Sequence, residues 1–378
     1  MSIDKTEQNT STSYKEKYDE ETRYLLALSN FLAFGPRSLF LLKAFFNSYK
    51  SAFLSTQSNL EKAGISAKIS AKFISERHNI NIEKIINTLE KENIRISTKK
   101  DKHFPLRLNN LYSPPAILYY RGEIKNTDLS LSVVGSRKFS RYGKMACENI
   151  ISDLAKTKIT IISGLALGID AIAHMESLKN NLNTIAILGS GVDNKSIYPA
   201  NNQFLARRIL EEGGAIVSEF PPGTIPMKHH FPQRNRIVSG ISLGSLIIEA
   251  EEKSGALITA RTALEQGKEV FAVPGSIFSS SSRGTNNIIK QGAIPTTSAN
   301  DIIDALDLEI INHYSDDNKD QYTSEEKLIL KCLSGEAKNI NEIIVLSKLN
   351  VSTVSQLITN LELKEIIKNI GGMNYVLK

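Results

Sequence analysis

Lys228, Phe231, Arg234, Asn235 and Arg236 place three cations, an aromatic ring and an amide within nine residues of the stretch Lys228–Gly240. Lysine and arginine neutralise phosphates, an aromatic face can stack a base, and an amide can bond a base edge or a sugar. None of these side chains is a nucleophile, so the segment suits holding a nucleic-acid strand; a solvated basic loop running into a helix is the other reading of the same composition. Three glycine-bearing turns bear on the choice: Val134-Gly135-Ser136-Arg137, the run from Ser163 and Gly164 to Asp170, and the run from Ser254 and Gly255 to Ala260. Glycine lets backbone approach an anion, and free N–H groups at a helix N-terminus add partial positive charge without a side chain. Gly189-Ser190-Gly191 supplies a fourth such turn. Arg137, followed by Lys138, Arg141 and Lys144, is the first candidate for a direct phosphate contact.

Other chemistries find no support in the motifs. Neither Gly143-Lys144-Met145 nor Gly267-Lys268-Glu269 completes a Walker-type phosphate loop, and Gly135 is followed by no dinucleotide fingerprint. Ser190 sits in Gly-Ser-Gly rather than a hydrolase elbow, and no His/Asp order around it suggests a triad. Adjacent His229 and His230 point apart and lack a carboxylate at helical spacing, which favours a structural or stacking role over a metal site. Glu249, Glu251 and Glu252 read as caps of the next helix, aided by Ser254, and Asp170 as an acid offsetting a helix dipole. Cys147 and Cys332, far apart in the chain, read as small buried hydrophobes. No cofactor and no metal is expected.

The elements that must position these residues show in the hydrophobic pattern. Apolar strands at Leu131–Val134, Ile159–Ile162, Thr184–Leu188, Ala215–Val217, Ser245–Ile248 and Glu269–Val273 each lead through Gly or Ser into an amphipathic helix. That alternation predicts an α/β fold: an extended, Rossmann-like, doubly wound, mostly parallel sheet over residues 105–310, binding its ligand at the carboxyl ends of the strands. Residues 21–100 show helical spacing (Leu25, Leu28, Phe31; Leu39, Leu42; Ile82, Ile86, Leu89) and predict a small helical domain, with glycine turns at Gly35 and Gly64 like those of helix-hairpin-helix units. Residues 1–20 are polar and read as a disordered tail, 112–122 as an extended linker ending in strand-like residues, and 313–321 as a second linker. Residues 322–378 predict three helices and a hairpin around Gly371-Gly372, resembling a winged helix.

With 378 residues, 41% of them hydrophobic, the chain can bury a large core, and it lacks both a signal-like start and an apolar run long enough for a bilayer, so a cytoplasmic protein with no membrane contact is expected. Counting Lys and Arg against Asp and Glu, residues 1–100 carry +5, residues 101–310 carry +2 and residues 311–378 carry −1. A nucleic-acid site belongs in the first two parts, and the acidic C-terminal unit suits contact with protein better than duplex DNA.

In order along the chain stand S-V-V-G-S-R (132–137), S-G-L-A-L-G-I-D-A-I-A-H (163–174), A-I-L-G-S-G-V-D (186–193) with Tyr198-Pro199, V-S-E-F-P-P-G (217–223), H-F-P-Q-R-N-R-I-V-S-G (230–240), S-G-A-L-I-T-A (254–260) and V-F-A-V-P-G-S (270–276). This series resembles the DprA/Smf DNA-processing family over about residues 105–305. The resemblance implies a non-catalytic, homodimeric protein that binds and protects single-stranded DNA and helps load the RecA recombinase onto it during natural transformation. It also implies that Arg137, Lys228 and Phe231 hold the strand, with Ser163 and Gly164 nearby. Many relatives carry a basic residue after Tyr198-Pro199 where this chain has Ala200, so Lys195 or Arg207 compensates or the rim binds more weakly. The rival expectation is a nucleotide phosphoribohydrolase-like enzyme using the same loops, although Pro274-Gly275-Ser276 and Ser254-Gly255-Ala256 lack the glutamate of that family's motif.

Overall fold

The computed structural model describes residues 18–125, 127–310, 322–333, 337–364 and 366–377. The tail expected over 1–20 lies outside them up to position 17, while Asp19 already caps the first helix by accepting from Thr22 N. The linker expected over 313–321 lies outside them altogether. Two compact units divide the chain, one ending at Glu309 and one starting at Ile310.

The first unit opens with helices α1 (Glu20–Asn30), α2 (Pro36–Phe46), α3 (Tyr49–Leu54), α4 (Gln57–Lys62), α5 (Ala67–Glu76) and α6 (Ile82–Lys91). Their starts follow from local chemistry: Ser48, Thr56 and Asn81 cap α3, α4 and α6 with side-chain oxygens, and Pro36 opens α2 where its missing N–H costs nothing. Leu26, Leu42, Phe73, Ile86 and Leu89 are fully buried between them.

The nine-stranded sheet has the order β1-β2-β6-β5-β4-β3-β7-β8-β9, with β1 (Arg95–Ser97), β2 (Leu118–Gly122), β3 (Ser130–Val134), β4 (Thr160–Ser163), β5 (Thr184–Leu188), β6 (Ala215–Ser218), β7 (Gly244–Ile247), β8 (Glu269–Ala272) and β9 (Ile294–Pro295). Strands β3 to β9 are parallel, and each residue of β3 and β5 is buried, because helices cover both faces. Helices α7 (Arg141–Leu154) and α8 (Ile169–Lys179) pack one face, and α10 (His230–Ile241) and α11 (Ala256–Glu265) the other; α9 (Gln203–Glu211), α12 (Arg283–Lys290) and α13 (Asn300–Leu306) complete the layers. Because β3 lies between β4 and β7, the chain winds outward from it in both directions, and the crevice of the sheet opens at the carboxyl ends beside it.

Two features depart from expectation. The strand-like end of residues 112–122 forms β2, but it enters the sheet, antiparallel to β6, instead of staying a linker, and β1, which carries no strand-like run, pairs with β2. The N-terminal helices also share one core with the sheet, in which Leu25, Phe31 and Phe73 join Tyr119, Leu188 and Ile216, and the Ser29 hydroxyl bonds the buried Tyr119 phenol at 2.6 Å.

The second unit consists of α14 (Ser324–Cys332), α15 (Ile340–Ser347), α16 (Val351–Leu363) and a three-stranded sheet of β10 (Lys338–Asn339), β11 (Ile367–Gly371) and β12 (Asn374–Leu377) in the order β10-β12-β11. Thr323 with Glu326 and Asn339 with Glu342 form reciprocal capping boxes that fix two of the helix starts. The third strand is supplied by the short β10, which the hydrophobic pattern did not show. Cys147 is buried as expected, whereas Cys332 is only half-buried.

Candidate nucleic-acid interface

All the glycine turns lie on one rim, because the strands that lead into them run parallel. At the end of β3, Arg137 and Lys138 are exposed, and no carboxylate among the described residues pairs with either. At the end of β4, Gly168 adopts a positive φ of 85° and lies so near the first loop that a Cβ there would fall 2.3 Å from Ser136 O, which brings the two loops together. At the end of β5, Gly189 supports the ring of Phe231, whose Cδ1 would lie 3.1 Å from any added Cβ.

The basic segment is the start of a helix. Lys228 and His229 are exposed ahead of α10, and Phe231 is half-buried in its first turn. The Arg137 guanidinium stands 5.6 Å from the Phe231 ring centroid, and the Tyr198 ring 6.0 Å from it on the other loop. Tyr198 was not singled out in the sequence as a site residue; the available signal was an aromatic beside proline in the loop after β5. Lys195, Ala200 and Arg207 are also exposed on the chain around it.

Several residues expected to contact a strand also make bonds within the fold. Arg234 is 6% exposed, and its guanidinium donates to Gly164 O at 2.6 Å and to Ile187 O, tying the ends of β4 and β5 to α10. Burial lowers its pKa to about 10, with the nearby Asp170 charge opposing the shift. Asp170 is buried as well: burial raises its pKa, against Arg234 and the N–H groups of Ala166, Gly164 and Gly135, so it anchors loops in addition to starting a helix. Arg236 pairs with partly buried Glu219 and donates to Ser113 O at 2.5 Å. The Ser163 hydroxyl donates to Val133 O at 2.6 Å, and Gly164 N–H donates to Asp170 at 3.1 Å. Asn235 is partly exposed and its Oδ1 accepts from Arg234 Nε at 3.2 Å. These residues shape the rim from within, because at helical spacing the side chains of 234 and 238 face the sheet when 231 and 235 flank the groove.

Ser254 and Gly255 remain accessible at the start of α11, where the Ser254 hydroxyl accepts from Ala256 N at 3.3 Å. The acidic cluster divides: Glu251 and Glu252 are exposed, whereas Glu249 is buried and accepts from Ser140 N at 2.8 Å and from the Ser281 hydroxyl at 2.6 Å. It therefore braces the start of α7 instead of capping α11. His230 is buried, stacked on Phe220 with centroids 4.2 Å apart and bonded to Gly189 O at 3.2 Å; His229 is exposed, but the two imidazoles do not point apart as expected, their ring centroids lying 4.5 Å from each other edge-to-face. Among the described residues no group of three or more potential ligands could hold a metal ion, and no helix is long and apolar enough to cross a membrane.

The resulting rim offers cations and rings over loops whose N–H groups at Gly135, Ser136, Gly164 and Ala166 are bonded within the fold, and relatives carry the same fold. A solved structure of DNA processing protein A from Streptococcus pneumoniae superposes with a TM-score of 0.64 at 30% identity, covering 76% of this chain and 98% of that one. A Helicobacter pylori DNA processing protein A, described for its single-stranded DNA binding mode, matches with a TM-score of 0.51 at 32% identity over 57% of this chain and 98% of its own. In sequence, the chain is 41% identical to Protein Smf of Escherichia coli over 252 residues, 65% of this chain and 66% of that one, and 38% identical to DNA processing protein DprA of Bacillus subtilis over 227 residues, 60% and 75% of the two chains. Residues 95–307, more than half the chain, match the family described as DNA recombination-mediator protein A, and to that family this chain belongs.

Proposed function

We propose that the protein binds single-stranded DNA along the rim, protects it, and as a homodimer helps load the RecA recombinase onto it in the cytoplasm, without catalysing a reaction itself. One observation carries the reading: exposed Arg137 stands over the Phe231 ring, three residues after exposed Lys228 in the chain, where the carboxyl ends of β3, β4 and β5 converge. Cations spaced around a ring suit a flexible strand, in which phosphates are neutralised and a base stacks, without selecting a sequence. The strand contacts are Arg137, Lys228 and Phe231, with Tyr198, Asn235, Ser254 and Gly255 at the margins; Arg234, Arg236, Ser163 and Gly164 hold the loops that carry them. The single-stranded DNA bound by the Helicobacter pylori relative and the recombination-mediator family support this reading.

The test is fluorescence anisotropy with labelled thymidine oligonucleotides of increasing length, single-stranded and duplex, at two salt concentrations, followed by an assay of RecA filament growth on the bound strand. Length-dependent, salt-sensitive binding that favours single strands supports the proposal. Binding of a mononucleotide with release of its base, and of no oligonucleotide, would replace it with the phosphoribohydrolase-like enzyme.

A further inference from the structure

We infer that the DNA strand continues past Arg137 to a second base-stacking site at the other end of the rim, between the loop after β3 and the loop after β8. The inference rests on the single-stranded DNA reading above and extends it. A cleft of about 670 Å³ opens there, lined by Ser140, Tyr142, Glu249, Gly275 and Ser276 among others, within the roughly 300–1,000 Å³ of small-ligand sites.

Its walls are held in place. The Tyr142 phenol donates to Pro274 O at 2.6 Å across the cleft, and Asn286 exchanges two bonds with the Gly275 backbone, at 3.2 and 3.0 Å. Buried Glu249 ties Ser140 of one loop to Ser281 of the other. Next in the chain to the lining residues Ser140 and Ser279, Phe139 is 43% exposed and Phe278 90% exposed. Lys138, Arg141 and Arg283 are exposed around the same opening, and none is paired with a carboxylate among the described residues; Arg141 and Arg283 are the first residues of α7 and α12. Of the acids on this stretch, Glu251 and Glu252 of the β7 loop are exposed beside Lys253, and the cleft-lining Glu249 carboxylate is occupied by Ser140 N–H and the Ser281 hydroxyl.

Exposed rings set among unpaired cations reproduce the chemistry of the Phe231 end, so the occupant with matching charge and faces is a further nucleotide of the same strand. From β5 to β8 is four strand spacings, roughly 19 Å at about 4.8 Å each, so a strand reaching both ends must span several nucleotides.

The chain contains no tryptophan, so Phe278→Trp creates a single reporter whose emission a stacked base quenches. In the full-length protein, thymidine oligonucleotides of about six and about twenty nucleotides bracket the usual single-strand site sizes. The expected result is quenching by the longer oligonucleotide only. The Phe139→Ala/Phe278→Ala double variant should bind the longer one about 5- to 100-fold more weakly, the worth of a stacked base, and the shorter one as wild type does. Phe231→Ala should weaken both. Unchanged tryptophan emission at saturation, with wild-type binding of both lengths by the double variant while Phe231→Ala weakens them, overturns the second site and leaves the parent reading standing. Wild-type protein that binds neither length overturns the parent reading and this site with it.

Discussion

Replacing Arg137 by alanine is the sharpest probe of the rim, since the side chain is exposed, has no carboxylate partner and stands 5.6 Å from the Phe231 ring. Two effects combine. A charge-assisted contact to a phosphate contributes about 1.5–3 kcal/mol, and the guanidinium over the half-buried ring adds about 0.5–1 kcal/mol that holds the stacking face in place. Together, at about 2–4 kcal/mol, they predict roughly a 30- to 700-fold rise in Kd at low salt, at about 1.4 kcal/mol per factor of ten. Losing one neutralised phosphate should also flatten the plot of log affinity against log salt by about 0.7. Stability should change by no more than about 0.5 kcal/mol, as for surface positions outside any network. Anisotropy titrations with a thymidine oligonucleotide at several salt concentrations read affinity and slope together, and thermal unfolding reads the fold. Arg137→Lys should recover the slope but only part of the affinity, because an ammonium lacks the two-pronged geometry. Unchanged affinity and slope in Arg137→Ala would refute the argument, as would a loss of binding explained by a large drop in melting temperature.

Other perturbations separate supports from contacts. Arg234→Ala should destabilise the protein by about 3–5 kcal/mol, as breaking a buried charge network does, because it orphans Gly164 O, Ile187 O and the Asp170 charge; an unchanged denaturant midpoint would contradict this. Ala200→Lys places a cation on the exposed turn after Tyr198-Pro199 and should steepen the salt dependence by about 0.7, read by the same titration. Buried His174 stays neutral in the fold, its pKa pushed down to about 3 by burial and then by Arg234, from a usual 6.5. Its stabilising contribution is therefore complete above pH 6.5 and is lost as pH falls toward 3, and His174→Gln should flatten the urea midpoint over that window. For Glu21, burial opposes ionisation but bonds from Lys43, Ser48 and Tyr49 N prevail and take its pKa to about 2. Its contribution is present above the usual 4.5 and disappears as pH drops toward 2, so Glu21→Gln should unfold less steeply with acid in that range.

The parallel sheet was legible because each of its principal strands is a short apolar run followed by glycine or serine and then an amphipathic helix, and every such run became a strand within a residue or so of its expected bounds. Edges were harder. Arg95–Ser97 and Ile294–Pro295 are three and two residues long, too short for periodicity to register, and their strand character comes from pairing partners far away in sequence. Likewise, nothing local indicated that Tyr119 would meet Ser29 and join the helices to the sheet.

For the site, composition alone decided that phosphate-binding residue types cluster at Arg137 and at Lys228–Arg236, and that the turns beside them are built for close backbone approach. Which of those cations faces water was decided by the tertiary structure. Arg234 and Arg236 are as basic as Arg137 and Lys228, yet helical geometry turns the first into the sheet, where carbonyls of β4 and β5 loops await it, and gives the second to Glu219. A side chain's charge is a property of its residue type, whereas its availability to a ligand depends on which groups the fold brings within hydrogen-bonding reach, and those come from segments tens of residues away.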